Sequence, residues 1–337
     1  MNNKIKNPLC VAIIGFTLSG CALQETIATV QDKLAPLTNQ AASERTKNLP
    51  AHPADRALSE TDKLCEILVE PFTLASNLEI LATLSKSSMM RGGITYKNSL
   101  LDQARDAARQ LNWLPIDLEI KYGQQMHDKR VSSDLKLLKI NSKRSSIKEQ
   151  YKRAEEILAN LLKSVTAPHP YKFKLFLVND ETINAEAIPG GFIYLNTGAL
   201  KNGQAEFVLA HEIAHVLKRH TTKEMQSRLI DSVETYDDLK RLLQRRGDMA
   251  ALTKSISFAK DFLNFSKYQE LQSDACSVRV VAEVEGINFN EAVKQHAENL
   301  KGDESGQPKE RLFGYSEHPK FQERADTIYK VAKLVKE

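Results

Sequence analysis

Phe207-Val208-Leu209-Ala210-His211-Glu212-Ile213-Ala214-His215-Val216-Leu217 is the segment from which the rest of the chain can be read. A helix advances about 100° per residue, so His211 and His215 lie about 40° apart on one face, one turn apart. The residues around them are apolar on nearly every side, and no polar face begins until Lys218. A helix apolar all round is a buried one. Buried His and Glu side chains need partners. Two imidazoles one turn apart supply that need if they hold one Zn²⁺. Glu212 then sits beside the metal and not on it, which suits a base acting on water activated by the ion.

Two His and no nearby Cys argue against a structural zinc. Structural sites are mostly Cys-rich and closed, whereas catalytic ones take three protein ligands and keep a position for water. Extension to HExxHxxGxxH is excluded, because Lys218 and Thr221 stand at the Gly and His positions. His220 is a poor ligand, since on one continuous helix it points about 180° away from His211. Glu270-Leu271-Gln272-Ser273-Asp274 is the better source. Glu270 would complete the coordination of one Zn²⁺ per chain. Asp274, one turn on, would accept a hydrogen bond from a ligand His and fix its tautomer. An acidic i, i+4 pair is by itself usually solvated helix surface. This one gains weight by lying about one helical hairpin downstream of His215.

Working outward, residues 60–112 read as helical, with Cys65, Leu68, Val69, Phe72 and Leu74 on one apolar face and Leu100–Leu111 forming another. Pro115 breaks the pattern before a helix that starts near Ile116, and a long charged helix follows around Ile147–Val165. The period then changes. Tyr171–Val178 alternates apolar residues with Lys before turning wholly apolar, as a strand does on entering a core. Pro189-Gly190-Gly191 punctuates the chain, Phe192-Ile193-Tyr194-Leu195 is a second strand, and from Gln204 onward the signals are helical. The expected class is α+β, a small sheet packed against a helical body. The expected division is a helical N-terminal region over 60–115 and the catalytic domain over 116–337.

The N-terminus predicts a location. Lys4 and Lys6 precede the short apolar run Leu9–Leu18, far below the roughly 20 apolar residues of a spanning helix. This is a signal-peptide pattern over 1–20. Leu18-Ser19-Gly20-Cys21 resembles the bacterial lipobox, which implies acylation of Cys21 as the mature N-terminus. Ala22 in second place, where Asp is absent, resembles sorting to the outer membrane. Residues 21–59, polar and rich in Ala, Thr, Asn and Pro, read as a tether. Loss of Lys4 and Lys6 takes the formal charge from +4 to +2, and so near-neutral a balance implies no nucleic-acid partner. No later stretch is apolar for long enough to cross a bilayer, so anchoring is expected, without spanning. Four Cys are present. With Cys10 in the signal and Cys21 lipidated, Cys65 and Cys276 remain, either as one disulfide or as two separate buried thiols.

Further segments carry a resemblance. Asn184-Ala185 with Ala187-Ile188-Pro189-Gly190-Gly191-Phe192-Ile193-Tyr194, Glu206–Ala210 before the HEIAH motif, Ser266–Glu270, and Ser316-Glu317-His318-Pro319 with Glu323-Arg324 are distinctive together. They resemble the NA-x-A-x-PGG, HExxH, third-ligand and HP-xxx-ER elements of metallopeptidase family forty-eight, the HtpX and CAAX prenyl endopeptidase type. The resemblance covers roughly Ile116 to Ile328. It implies a mostly helical, gluzincin-type domain whose small sheet presents an edge strand to the active-site cleft. The family usually reads ExEAD, and this chain has Gln272 and Ser273 where Glu and Ala are expected. It lacks the helices of the integral-membrane branch and looks like a compact lipoprotein branch.

These readings predict a zinc-dependent endopeptidase acting on unfolded or misassembled envelope proteins in the periplasm, with outer-membrane assembly machinery as a partner. Glu212 would move the protons. Gly191, Phe192, Ile193 and Tyr194 would pair with an extended polypeptide substrate by β-augmentation. Pro319 restricts His318 to an extended conformation. A His318 presented from a loop would either plug the open zinc position or donate to the oxyanion, unless it is a surface residue at the start of the last helix. Two other classes compete: a chaperone or assembly factor with a latent peptidase, and a zinc-stabilised binding module without hydrolysis.

Overall fold

Pro115 and the residues after it show how local chemistry sets the elements. Proline has no N–H to donate, so it sits well just before or at a helix start. Here it is extended, with φ −61° and ψ 146°, and the helix α2 begins at Ile116. The computed structural model describes residues 64–70, 79–82, 100–109, 111–244, 267–302 and 321–336. Within them the helices are α1 (Leu100–Arg109), α2 (Ile116–Ser133), α3 (Ser145–Lys163), α4 (Thr197–Lys201), α5 (Ala205–Leu217), α6 (His220–Ser232), α7 (Tyr236–Gln244), α8 (Lys267–Ala282), α9 (Phe289–Gly302) and α10 (Phe321–Lys336). The strands β1 (Lys174–Val178), β2 (Ala185–Ile188) and β3 (Phe192–Asn196) lie between α3 and α4. The architecture is α+β and mostly helical, as the sequence implied, but residues 64–70, expected on a helical face with Cys65, Leu68 and Val69, form turns and bends. No helix of the described residues is long and apolar enough to cross a membrane.

The sheet has the order β1-β3-β2. β1 runs parallel to β3, with Lys174 opposite Phe192, and β2 runs antiparallel to it, with Ile188 opposite Phe192. This corrects the expectation for Gly191-Phe192-Ile193-Tyr194. β3 is the central strand, so its backbone groups are engaged by neighbours on both sides and cannot also pair with a substrate. The edge on the α5 side is β2, whose four residues, Ala-Glu-Ala-Ile, are too few to show a period of their own. Gly190 and Gly191, at φ 83° and 88°, make the left-handed turn from β2 into β3. α2 presses on that turn through Gly123, where a Cβ would fall 1.7 Å from the Pro189 carbonyl oxygen.

The main core wraps α5, with Leu209, Ile213 and Leu217 packed among Leu161 of α3, Ile193 of β3, Val278 and Val281 of α8, and Ile328 and Val331 of α10. A second cluster joins α1, α2, α6 and α7 through Ala104, Trp113, Tyr122, Met225 and Leu239. Cys65 and Cys276, left open by the sequence, are bonded across 211 residues. The bond staples segment 64–70 to α8. Arg279 Nε donates to the Leu64 carbonyl at 2.8 Å, and the Glu70 N–H donates to the Leu217 carbonyl at 3.0 Å.

Gly123→Ala should lower stability by about 1–3 kcal/mol or more, because the clash is with backbone and neither partner can rotate away. Urea denaturation of the two proteins checks this.

Candidate metal centre

α5 packs directly on α8, and the HExxH motif meets Glu270 in that interface. The Nε2 atoms of His211 and His215 are 2.9 Å apart. Glu270 places Oε2 3.4 Å from His211 Nε2 and Oε1 3.7 Å from His215 Nε2. All three side chains are buried. An ion with tetrahedral bonds of about 2.0–2.1 Å separates its ligands by about 3.3 Å, and these gaps bracket that value. Two ring nitrogens facing each other can share only one proton, so the donor set suits a cation better than it suits itself. Two nitrogens and one carboxylate without thiolate fit an ion of borderline character with an open position.

A second ring of side chains orients the first. Asp274 Oδ1 lies 2.9 Å from His211 Nδ1. Arg324, from α10, grips the same carboxylate with Nε to Oδ2 at 2.8 Å and Nη2 to Oδ1 at 2.7 Å. With Nδ1–H donated to Asp274, His211 turns its Nε2 lone pair toward Glu270 and His215. Burial alone would raise the Asp274 carboxyl, but the Arg324 guanidinium and His211 hold it below the usual range. Burial would likewise depress His211, and its bonds to Asp274 and Glu270 outweigh that and lift it to about 9 in the metal-free chain.

Glu212 is placed by the sheet. Asn196 N–H bonds the Asn184 carbonyl, and the antiparallel register pairs Glu186 with Tyr194. Bonding pairs alternate along such a ladder. Glu186 and Ile188 therefore face β3, while Ala185 and Ala187 point their N–H and C=O groups outward, toward α5. The Ala187 N–H donates to Glu212 Oε2 at 2.7 Å. Burial pushes the Glu212 carboxyl up to about 7, with the Glu270 charge adding to it and His211 opposing.

His220 is not on the same helix as His211. Arg219 is left-handed, at φ 54° and ψ 34°, and α5 ends before it. The Arg219 side chain is fully buried, with Nε on Glu119 Oε2 at 3.0 Å and Nη2 on the Leu114 carbonyl at 2.7 Å. That ion pair holds a conformation that a non-glycine residue rarely adopts. α6 then starts with His220 turned back on the site, its Nδ1 3.0 Å from His215 Nδ1 and its Nε2 2.9 Å from Gln272 Oε1. Burial pushes this imidazole down to about 3. The break at Arg219 turns His220 toward the site and not 180° away from His211, yet the ligand set remains His211, His215 and Glu270 among the described residues. The role of Arg324 was also missed, although Glu323-Arg324 stood in the late motif. Cys21 and His318 lie outside the described residues.

Side chains so arranged define a class, the metal-dependent peptidases in which an HExxH helix and a carboxylate from a second helix surround the ion. The sequence matches Peptidase family M48 over residues 148–332, more than half of the 337 residues, and the chain belongs to that family. The beta-barrel assembly-enhancing protease of Escherichia coli O157:H7 is 28% identical over 119 residues, 32% of this chain and 24% of that protein. A putative beta-barrel assembly-enhancing protease of Vibrio cholerae serotype O1 is 28% identical over 128 residues, 35% of this chain and 26% of its own length. The aligned part is thus about a quarter of each relative.

Arg324→Leu should cost about 3 kcal/mol of stability in the metal-free protein, because the buried Asp274 carboxylate loses its two-point partner and keeps only His211. Guanidinium denaturation in the presence of a chelator measures it.

Proposed function

We propose that this protein is a zinc-dependent endopeptidase, lipid-anchored through Cys21 and facing the periplasm at the outer membrane, that cleaves unfolded or misassembled envelope proteins. The observation that carries the reading is the position of Glu212. Its carboxylate is tied to an outward N–H of the edge strand, one residue from the buried His211-His215-Glu270 set. His211, His215 and Glu270 would hold the ion. When bound, it supplies a Lewis acid that activates water and polarises the scissile carbonyl.

The chain's own groups do the rest. An extended substrate pairs with the outward groups of Ala185 and with the Ala187 carbonyl on β2, while the Ala187 N–H stays on Glu212. That pairing fixes the scissile bond beside Glu212. Glu212 takes the proton of the attacking water and delivers it to the leaving amine. Asp274 and Arg324 keep His211 in its metal-facing tautomer.

The location rests on the lipobox-like Leu18-Ser19-Gly20-Cys21. The substrate class is supported by the names of the relatives, which are said to enhance β-barrel assembly. The word assembly in those names leaves room for a second reading, an assembly factor whose peptidase is largely latent. In that case a Glu212→Gln protein would still support outer-membrane protein assembly in cells.

Glu212→Gln should retain one zinc per chain and lose about 100- to 10,000-fold in hydrolysis of an unfolded protein. Glu270→Ala should lose the zinc, read by metal analysis after dialysis. Full zinc in the Glu270→Ala protein would move the third ligand elsewhere. Cys21→Ser should abolish membrane fractionation of the processed protein, because acyl chains are the membrane affinity that the reading provides.

A further inference from the structure

The two imidazoles of the site are backed in different ways. His211 donates to a carboxylate, Asp274. His215 is backed by a second imidazole, since His220 Nδ1 lies 3.0 Å from His215 Nδ1. Behind His220 stands an amide, with Gln272 Oε1 2.9 Å from His220 Nε2. The Ser273 hydroxyl touches the same His220 Nδ1 at 3.3 Å. All four side chains are buried. We infer that Gln272, His220 and His215 form a polarised relay in which the neutral amide of Gln272 sets, through His220, the tautomer in which His215 meets the metal.

The proton positions follow from the geometry by elimination. His215 Nε2 is the atom that faces His211 Nε2 and Glu270. To bind an ion it must present a lone pair, so the proton of neutral His215 is on Nδ1. That N–H points at His220 Nδ1, which must then accept. A neutral His220 that accepts at Nδ1 carries its own proton on Nε2. That second N–H needs an acceptor, and Gln272 Oε1 is in place. The opposite orientation, with the Gln272 NH₂ toward His220, would reverse every step and put a proton on His215 Nε2, where the ion binds.

His220 and Gln272 are therefore positioning residues. They touch neither substrate nor ion, and they act by fixing the ring of His215 and its basicity. A neutral amide is a weaker acceptor than a carboxylate. The relay thus leaves His215 a weaker donor to the ion than a Glu at position 272 would. The residue at position 272 would thus set metal affinity without changing a ligand.

The assignment rests on the metal-site reading above, and the experiment separates the two. In the full chain loaded with zinc and labelled with ¹⁵N-histidine, long-range ¹H–¹⁵N spectra identify the protonated nitrogen of each ring. The expected pattern is Nδ1–H for His215 and Nε2–H for His220, and the reverse at His220 overturns the relay. Zinc affinity is then measured by chelator competition on variants that melt cooperatively without metal. His220→Phe should bind about 10- to 100-fold more weakly. His220→Asn, whose amide oxygen can take the place of Nδ1, should recover part of the loss. Gln272→Leu should weaken binding, and Gln272→Glu should tighten it by up to about tenfold. Wild-type affinity in His220→Phe, or no tightening in Gln272→Glu, sinks the relay. If His220→Phe does not fold, the spectra and the Gln272 pair decide. A wild-type chain that binds no zinc sinks the metal-site reading and the relay with it.

Discussion

Arg324 and Asp274 meet in a two-point ion pair, at 2.8 and 2.7 Å, inside the helical body. Each charge taken out of water costs several kcal/mol, and only close, bidentate geometry offsets that. The pair lets α8 carry carboxylates into a dry interface with α5. Glu270, one turn before Asp274, enters on the same helix face, and His211 shares the Asp274 oxygen that Arg324 holds. Three helices far apart in the chain, α5, α8 and α10, must therefore be packed before any side chain of the site has its final orientation.

A second buried ion pair does a different task. Arg219 and Glu119 bind each other with almost no exposure, 100 residues apart. Their contact holds Arg219 in the left-handed region, and that one residue ends α5 and redirects the chain. The consequence is an asymmetry between the two imidazoles. His211 is backed by an ion pair and is basic in the metal-free chain, and His215 is backed by the neutral groups of His220 and Gln272.

The sheet contributes through its order. With β3 in the middle, β2 is left as the edge on the side of α5, and its Ala187 N–H is aimed at Glu212. The Gly190-Gly191 turn and the close approach of α2 at Gly123 fix how far that edge stands from the helix. The Cys65–Cys276 bond ties the segment before α1 to α8, two residues beyond Asp274. The reacting groups thus sit among elements that are each held from outside the site.

The sequence by itself determined what depends on local spacing. The all-round apolarity of Phe207–Leu217 marked a buried helix, and the i, i+4 placement of His211 and His215 marked their common face, because both are properties of one helix. The start at Ile116 followed from Pro115, and β1 and β3 followed from the change of period. Tertiary structure decided the rest. β2 is too short for periodicity to declare it, and which strand is central depends on pairing between strands and on nothing within any one of them. The pairing of Cys65 with Cys276, across 211 residues, has no local signature. His220 was placed wrongly because a helical wheel extrapolates a regular backbone. The residue that breaks it, Arg219, is held by a partner on α2 and not by its neighbours. Arg324 stood in a visible motif, but its meaning lies in the buried carboxylate that it neutralises, and burial is created only when the helices close.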